Sequence, residues 1–311
     1  MIVTVTPNPS VDRTLAVDRL TRGEVLRASR SWSEPSGKGV NVALALRAHG
    51  HASRAVVPVG GAEGARLEVM LRAGGLDYVT VPITGEIRSN ISVLEPDGTV
   101  TKVNEPGPHL SEVELKALID AAIASGEQAE WLVGCGSLPV GAAAGFYAEL
   151  VGAARHTSAY IAVDSSGAPL AAALTAGPDL IKPNAHELAE AAGHPIETLG
   201  DALTAARRLR ERGAGAVLAS LGPDGAVLVD LDGAVHGEAH VAGPRSTVGA
   251  GDALLAGFLA AGAHGPEALR TALGWAAAAV QQPGTVLQAS DVAAEVVLHE
   301  TVDVRRRLRH S

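Results

Sequence analysis

The 311 residues contain a single cysteine, Cys135. That excludes a disulfide framework within the chain and suits a reducing, cytoplasmic compartment. No uninterrupted run of about 18 apolar residues occurs, so no membrane span is expected. The opening segment, Met1-Ile2-Val3-Thr4-Val5-Thr6, has no basic stretch ahead of an apolar one and reads as a strand rather than a secretion signal. A net charge of −9 leaves no basic footprint for nucleic acid. There is no Gly-x-x-x-x-Gly-Lys-Ser/Thr loop, so any nucleotide is held without a Walker motif. No Gly-x-Gly-x-x-Gly follows the first strand, which disfavours a dinucleotide oxidoreductase. No linker or low-complexity run divides the chain, and residues 1–311 are expected to form one domain.

Lysine is scarce too. Of 25 basic residues only four are lysines, and Lys38, Lys102 and Lys182 stand beside Gly, Asn or Pro turn signals. A compact ammonium suits phosphate, whereas arginine suits planar forks. Exposed loop charge is the plain alternative for Lys38 and Lys102. The arginines at 305–307 read most simply as a solvated end.

The most informative stretch runs from Ser246 through Thr247-Val248-Gly249-Ala250-Gly251-Asp252 into an apolar helical pattern. Small residues at a helix N-terminus present free N–H groups to an anion. A carboxylate there would repel a phosphate unless it faces a hydroxyl that attacks phosphorus. Phosphoryl transfer to an alcohol resolves the conflict; a simple helix cap is the alternative for Asp252.

Strands expected at 55–59, 131–133, 159–164 and 216–220 alternate with helices at 64–73, 110–125, 142–155, 185–192 and 200–212. This alternation implies a mostly parallel sheet covered on both faces, with ligands at the carboxyl ends of its strands. Asp164, Lys182-Pro183-Asn184 and Ser220-Leu221-Gly222 fall at such ends. From Ala253 to Gln282 the pattern is two hairpinned helices broken near Gly265-Pro266. Two segments depart from the alternation: Leu15–Leu20 with Glu24–Glu34, and Ile87–Leu94 with Thr99–Asn104 turning at Glu95-Pro96-Asp97-Gly98. They are expected to make a small antiparallel sheet, within about 12–36 and 86–106, lying over the strand ends as a lid. Its spare face, with Ile91, Val93 and Val103, is expected to pair in a homodimer. His49-Gly50-His51 reads as surface histidines, and Trp131 and Trp275 as core.

Seven segments in order resemble the PfkB-type carbohydrate kinases of the ribokinase-like superfamily. They are Thr6–Asp12, Ser36–Ala43, Arg88-Ser89-Asn90 with Asn104–Pro108, Gly136–Pro139, Lys182–Leu188, Ser220–Gly225 and Thr247–Asp252. The resemblance is greatest to the sugar-phosphate branch that includes the 1-phosphofructokinases and tagatose-6-phosphate kinases. Ser36 stands where that branch usually has glycine, and Cys135 and Ala253 where serine is usual. The resemblance implies a three-layer α/β/α sandwich with a β-sheet lid. It implies Asp252 as the base, kept ionised by its helix N-terminus, and Gly249, Ala250 and Gly251 as the anion hole. Asp12, Gly37, Gly39, Asn41 and Asn90 would face the sugar. Lys38, Arg88 and Lys102 would hold its phosphate, with Arg27 and Ser137 as helpers. Lys182, Asn184, Ser220, Gly222 and Gly225 would line ATP. Asn184 and Glu187 would organise Mg²⁺ through water, although a capped helix start explains that pair equally well. The implied reaction is ATP-dependent phosphorylation of a ketohexose monophosphate. Fructose 1-phosphate comes first because of Gly37-Lys38-Gly39; tagatose 6-phosphate and fructose 6-phosphate are the alternatives. A non-catalytic sugar-phosphate sensor on the same fold is the alternative from another class.

Overall fold

The computed structural model describes residues 1–241, 247–282, 294–299 and 301–309. Ser246, the first residue of the glycine-rich stretch, lies outside them. The main sheet runs from β14 (Glu295–His299) through β13 (Ala234–His240), β12 (Ala226–Val229), β11 (Ala216–Ser220), β10 (Leu180–Ile181), β9 (Tyr160–Asp164) and β8 (Trp131–Cys135) to β1 (Ile2–Val5), β4 (Ser53–Val59) and β5 (Asp77–Pro82). The seven strands from β11 to β5 are parallel, while β12, β13 and β14 form an antiparallel extension.

One face is covered by α3 (Glu112–Gly126), α4 (Phe146–Ala154), α5 (Gly167–Ala176), α6 (Ala185–Ala192) and α7 (Leu199–Glu211), whose Leu118, Leu150, Leu170, Leu188 and Leu203 share a core with Val3, Val163 and Val217. On the other face α1 (Lys38–Ala48), α8 (Ala250–Ala260) and α9 (Gly265–Val280) bury Val42, Leu255, Phe258 and Leu269 against Val133, Ala162 and Leu228. Strands buried on both faces read as continuous apolar runs, as Ile2–Val5 and Ala226–Val229 do. This is the expected α/β/α sandwich. Neither α5 nor the antiparallel extension was among the expected elements.

A third cluster joins α1 and α2 (Gly61–Ala73) to the root of a second sheet through Val40, Leu67, Val11 and Ile87. That sheet has the order β3 (Arg30–Ser36), β2 (Ser10–Ala16), β6 (Arg88–Leu94), β7 (Val100–Val103). The β6–β7 hairpin turns where expected, with Glu95 and Thr99 closing it. The other pair is displaced. Its strands are Ser10–Ala16 and Arg30–Ser36 rather than 15–20 and 24–34, and β2 runs parallel to β6. The ladder to Arg88–Leu94 fixes β2, and local alternation beyond Ala16 has no partner strand to pair with. Trp131 is buried as expected. Trp275 is only partly buried, and His49 stacks on it with ring centroids 3.7 Å apart, so His49 is a packing residue rather than a free surface histidine.

Candidate active site

Five chain segments meet at the carboxyl edge of the parallel strands. The chain leaves β1 at Thr6, β8 at Gly136, β9 at Asp164, β10 at Lys182 and β11 at Ser220. Two helix starts join them: α1 follows its cap residue Gly37, and α8 follows its cap residue Gly249. Gly249 is left-handed, at φ 80°, as a residue without a side chain can be. Gly39 lies so close to the Thr6 hydroxyl that no side chain would fit there.

Asp252, in the first turn of α8, is buried and accepts a 2.8 Å hydrogen bond from Asn41 Nδ2 on α1. Burial, reinforced by the nearby Asp164 charge, pushes its carboxyl up to about 6. The helix N-terminus was expected to keep it firmly ionised; loss of water around it outweighs that. Asp252 is therefore a carboxylate poised near neutrality.

Asp164, fully buried at the end of β9, was placed by the sequence at a ligand-collecting strand end but given no role there. Lys38 Nζ donates to its Oδ1 at 2.8 Å, and Lys182 Nζ lies 3.1 Å from its Oδ2. Burial opposes ionisation of Asp164, but the two ammonium groups prevail and hold its carboxyl below the usual range. Lys38 also reaches Glu187 Oε1 at 3.5 Å. Burial pulls the Lys38 ammonium down, Asp164 and Glu187 push it up, and the net direction is up. A Cβ on Gly251 would stand 3.5 Å from Lys182 Nζ, so this buried ammonium sits beside the start of α8. The expected sugar-phosphate lysine and the expected nucleotide lysine thus share one carboxylate.

Asn184 and Glu187 form a reciprocal capping box at the start of α6: Asn184 Oδ1 accepts from Glu187 N at 2.9 Å and Glu187 Oε2 from Asn184 N at 2.8 Å. The cap reading is realised in full. Ser220 N donates to Pro183 O at 3.0 Å and holds the Ser220–Gly225 turn against this motif. Gly222 and Gly225 both have positive φ, and Gly225 lies against the Gly237 backbone where a side chain would clash.

At the lid, Ser10 Oγ and Asn90 Nδ2 both donate to Asp12 Oδ1, at 2.7 and 2.8 Å. Arg88 donates to Asn8 O and Glu105 O, at 3.0 and 3.2 Å. Its Nε is buried without a partner in the protein, and burial pulls its pKa down. Asn8 Nδ2 bridges to Pro106 O at 3.1 Å and to Ser137 Oγ at 3.4 Å, bringing Ser137 to this end. Lys102 and Arg27 are not buried with this cluster, and the structure draws neither into it.

The pfkB family carbohydrate kinase pattern matches residues 6–291, and the chain belongs to that family. It is 39% identical to the 1-phosphofructokinase of Haloferax volcanii over 312 residues, covering 99% of this chain and 100% of that one. It is also 39% identical to the 1-phosphofructokinase of Rhodobacter capsulatus, covering 87% of this chain and 86% of that one. Among solved structures, phosphofructokinase-2 from Escherichia coli in complex with potassium superposes with a TM-score of 0.87 at 32% identity, covering 93% of this chain and 95% of that one. The chain is thus a sugar-phosphate kinase of the ATP-dependent carbohydrate kinase class. Among the described residues no helix is long and apolar enough to cross a membrane.

Proposed function

We propose that this chain transfers the γ-phosphoryl group of ATP to the free hydroxymethyl oxygen of fructose 1-phosphate, giving fructose 1,6-bisphosphate and ADP in the cytoplasm. The observation that carries the reading is Asp252: a buried carboxyl at about 6, at a glycine-formed helix start, with the Lys182 ammonium beside Gly251. A base near the working pH is both ionised enough to accept a proton and basic enough to hold it. The substrate oxygen bonds to phosphorus, the bond from phosphorus to the leaving ADP oxygen breaks, and the hydroxyl proton passes to Asp252. The N–H groups of Gly249, Ala250 and Gly251 receive the charge on the transferring oxygens. Lys182 balances the phosphate charge from the nucleotide side, and Lys38, expected at the sugar phosphate, is drawn by the shared Asp164 to the same point between the two phosphates.

Asp12, Asn41 and Asn90, with the open backbone at Gly37 and Gly39, take the sugar hydroxyls. Arg88, assisted by Ser137, takes the phosphate already present. Buried polar atoms without partners are costly, and Arg88 Nε and Asn41 Oδ1 are two such atoms that a phosphorylated sugar would satisfy. Ser220, Gly222 and Gly225 border the nucleotide. Asn184 and Glu187 would hold Mg²⁺ through waters, since their cap bonds leave few free oxygens and Mg²⁺ sheds water reluctantly. When bound, the ion neutralises charge on the β- and γ-phosphates. The small sheet acts as the lid of a single kinase domain, and its face opposite Asp12 pairs two chains.

Initial rates with ATP against fructose 1-phosphate, fructose 6-phosphate, tagatose 6-phosphate and free ketohexoses test the reading. Fructose 1-phosphate is expected to show the highest kcat/KM. A free sugar that outperforms every phosphate would overturn the role of Arg88, and binding without any turnover would make the protein a sensor.

A further inference from the structure

Arg305 and Arg307 are exposed, as expected of a solvated end, but Arg306 between them is not, and the segment around it is docked. Leu308 is buried against the α7 side of the core, Leu308 N donates to Glu197 O at 2.8 Å, and Arg307 pairs with Thr198 in an isolated β-bridge. From this mooring two arginines reach across to the far end of the Ser220–Gly225 turn. Arg306 grips Glu238 with both terminal nitrogens, at 2.9 and 2.7 Å, and its Nη2 is also 3.1 Å from Asp224 Oδ1. Arg309 donates to Asp224 from its backbone N at 2.6 Å and from Nε at 3.0 Å, and to Pro223 O at 2.8 Å. Asp224 is fully buried, in a three-residue 3-10 turn, Gly222–Asp224.

A turn with one end tied to Pro183 and the other to the tail has its backbone fixed from both sides. A buried carboxylate is costly unless it is paired and hydrogen-bonded. Asp224 takes its charged partners from residues more than eighty positions away, so the docked tail adds side-chain anchors to a turn otherwise closed by its own backbone bonds and by His236 at Asp224 O. Glu238, on β13, lies in the strand that presses its backbone against Gly225.

We infer that the C-terminal tail is a clamp on the nucleotide-facing turn, with Arg306 as the positioning residue that sets affinity for the nucleotide and leaves the sugar-phosphate end untouched. The inference rests on the reading that Ser220–Gly225 borders ATP. Removing Arg306 breaks the bidentate grip on Glu238 and takes one of the two charged partners from Asp224, leaving that carboxylate to Arg309 alone, and the loosened turn then binds nucleotide less well.

The test uses the full chain with Arg306→Ala, Arg306→Lys and Glu238→Gln. It measures equilibrium binding of a fluorescent methylanthraniloyl-ATP without sugar, and both Michaelis constants. Arg306→Ala is expected to weaken nucleotide binding and raise the ATP KM by about fivefold or more, as for a lost charge-assisted contact. The sugar-phosphate KM and kcat should stay within about twofold. Arg306→Lys should recover part of the loss, because it keeps the charge without the planar fork. Should Arg306→Ala fail to fold, Glu238→Gln reads the same clamp from its other side and should shift the nucleotide constants in the same direction. Unchanged nucleotide constants in a folded variant, or an equal rise in the sugar-phosphate KM, overturn the clamp. If the wild-type chain binds nucleotide but phosphorylates no sugar phosphate, the proposed reaction fails while the binding arm still decides the clamp. A wild-type chain that binds no nucleotide overturns both.

Discussion

Asn41 Nδ2 donates a 2.8 Å hydrogen bond to Asp252 Oδ2, tying the first turn of α1 to the first turn of α8. Two helix starts that are far apart in sequence thereby converge on one carboxylate. The bond fixes the direction in which Asp252 presents its remaining lone pairs, and it leaves Asn41 Oδ1 buried with no partner in the protein.

Asp252→Asn keeps this geometry but removes the proton acceptor. Turnover should fall by at least about a hundredfold, with both Michaelis constants within a few-fold of wild type. In the wild-type enzyme kcat/KM should decline as pH falls through about 6, the value to which burial pushes the Asp252 carboxyl, because the protonated form cannot accept. Near-normal turnover in a folded Asp252→Asn variant would remove Asp252 from the role of base.

The same substitution should make the protein more stable near neutral pH. The folded carboxyl, at about 6 against an ordinary 3.8, binds its proton more tightly than the unfolded one. The penalty is therefore absent below the ordinary value, grows between the two, and is complete above the folded value. Its upper size is about 2–3 kcal/mol at pH 7.5. Urea denaturation of both proteins at pH 7.5 and pH 4.5 should show a gain for Asp252→Asn at the higher pH and a smaller one at the lower. Equal stabilities at both would mean that Asp252 is not held in an unfavourable environment.

Asp164 holds two ammonium groups, and one of them, Lys182, is itself only 4% exposed. Asp164→Asn leaves that cation buried without its counter-charge, a change that typically costs about 3–5 kcal/mol. Lys182→Met in the same background should restore much of the loss, since an apolar side chain of similar length has no charge to compensate. A double-mutant cycle in denaturant measures the coupling. Additive single effects would show that the ammonium and the carboxylate do not depend on each other.

The parts of the site written in glycine were legible because close backbone approach leaves few alternatives at Gly39, Gly249 and Gly225. The position of Asp164 at a strand end was legible too, but its role was not, for a lone aspartate there carries no local signal of its partners. Only the fold shows that Lys38 and Lys182, from widely separated parts of the chain, share it. The short strands β12 and β14 owe their direction to pairing with β11 and β13, which periodicity cannot report. The same holds for β2, whose true span is set by its ladder to β6. Arg306 looked like one of three solvent-facing arginines because both its partners, Asp224 and Glu238, are supplied by distant turns of chain.

The small sheet decides the last prediction. Its register places Asp12 opposite Asn90 on one face, and Ile91 opposite Val103 with Leu15 opposite Val93 on the other. Ile91 is 38% and Val103 60% exposed, so apolar surface on that second face meets water in the single chain. A sheet of this size needs a covering layer for stability, and a self-complementary patch favours a twofold pairing. Light scattering at micromolar concentration should therefore give about twice the chain mass of 31.5 kDa. Val103→Glu should shift the protein towards the monomer, because a charge placed in a buried apolar contact has no partner there. If Lys102, on the face that carries Asp12 and Asn90, reaches the partner's sugar phosphate, the same variant should raise the sugar-phosphate KM and leave the ATP KM unchanged. A wild-type monomer with full activity would exclude both the pairing and any contribution of Lys102 across it.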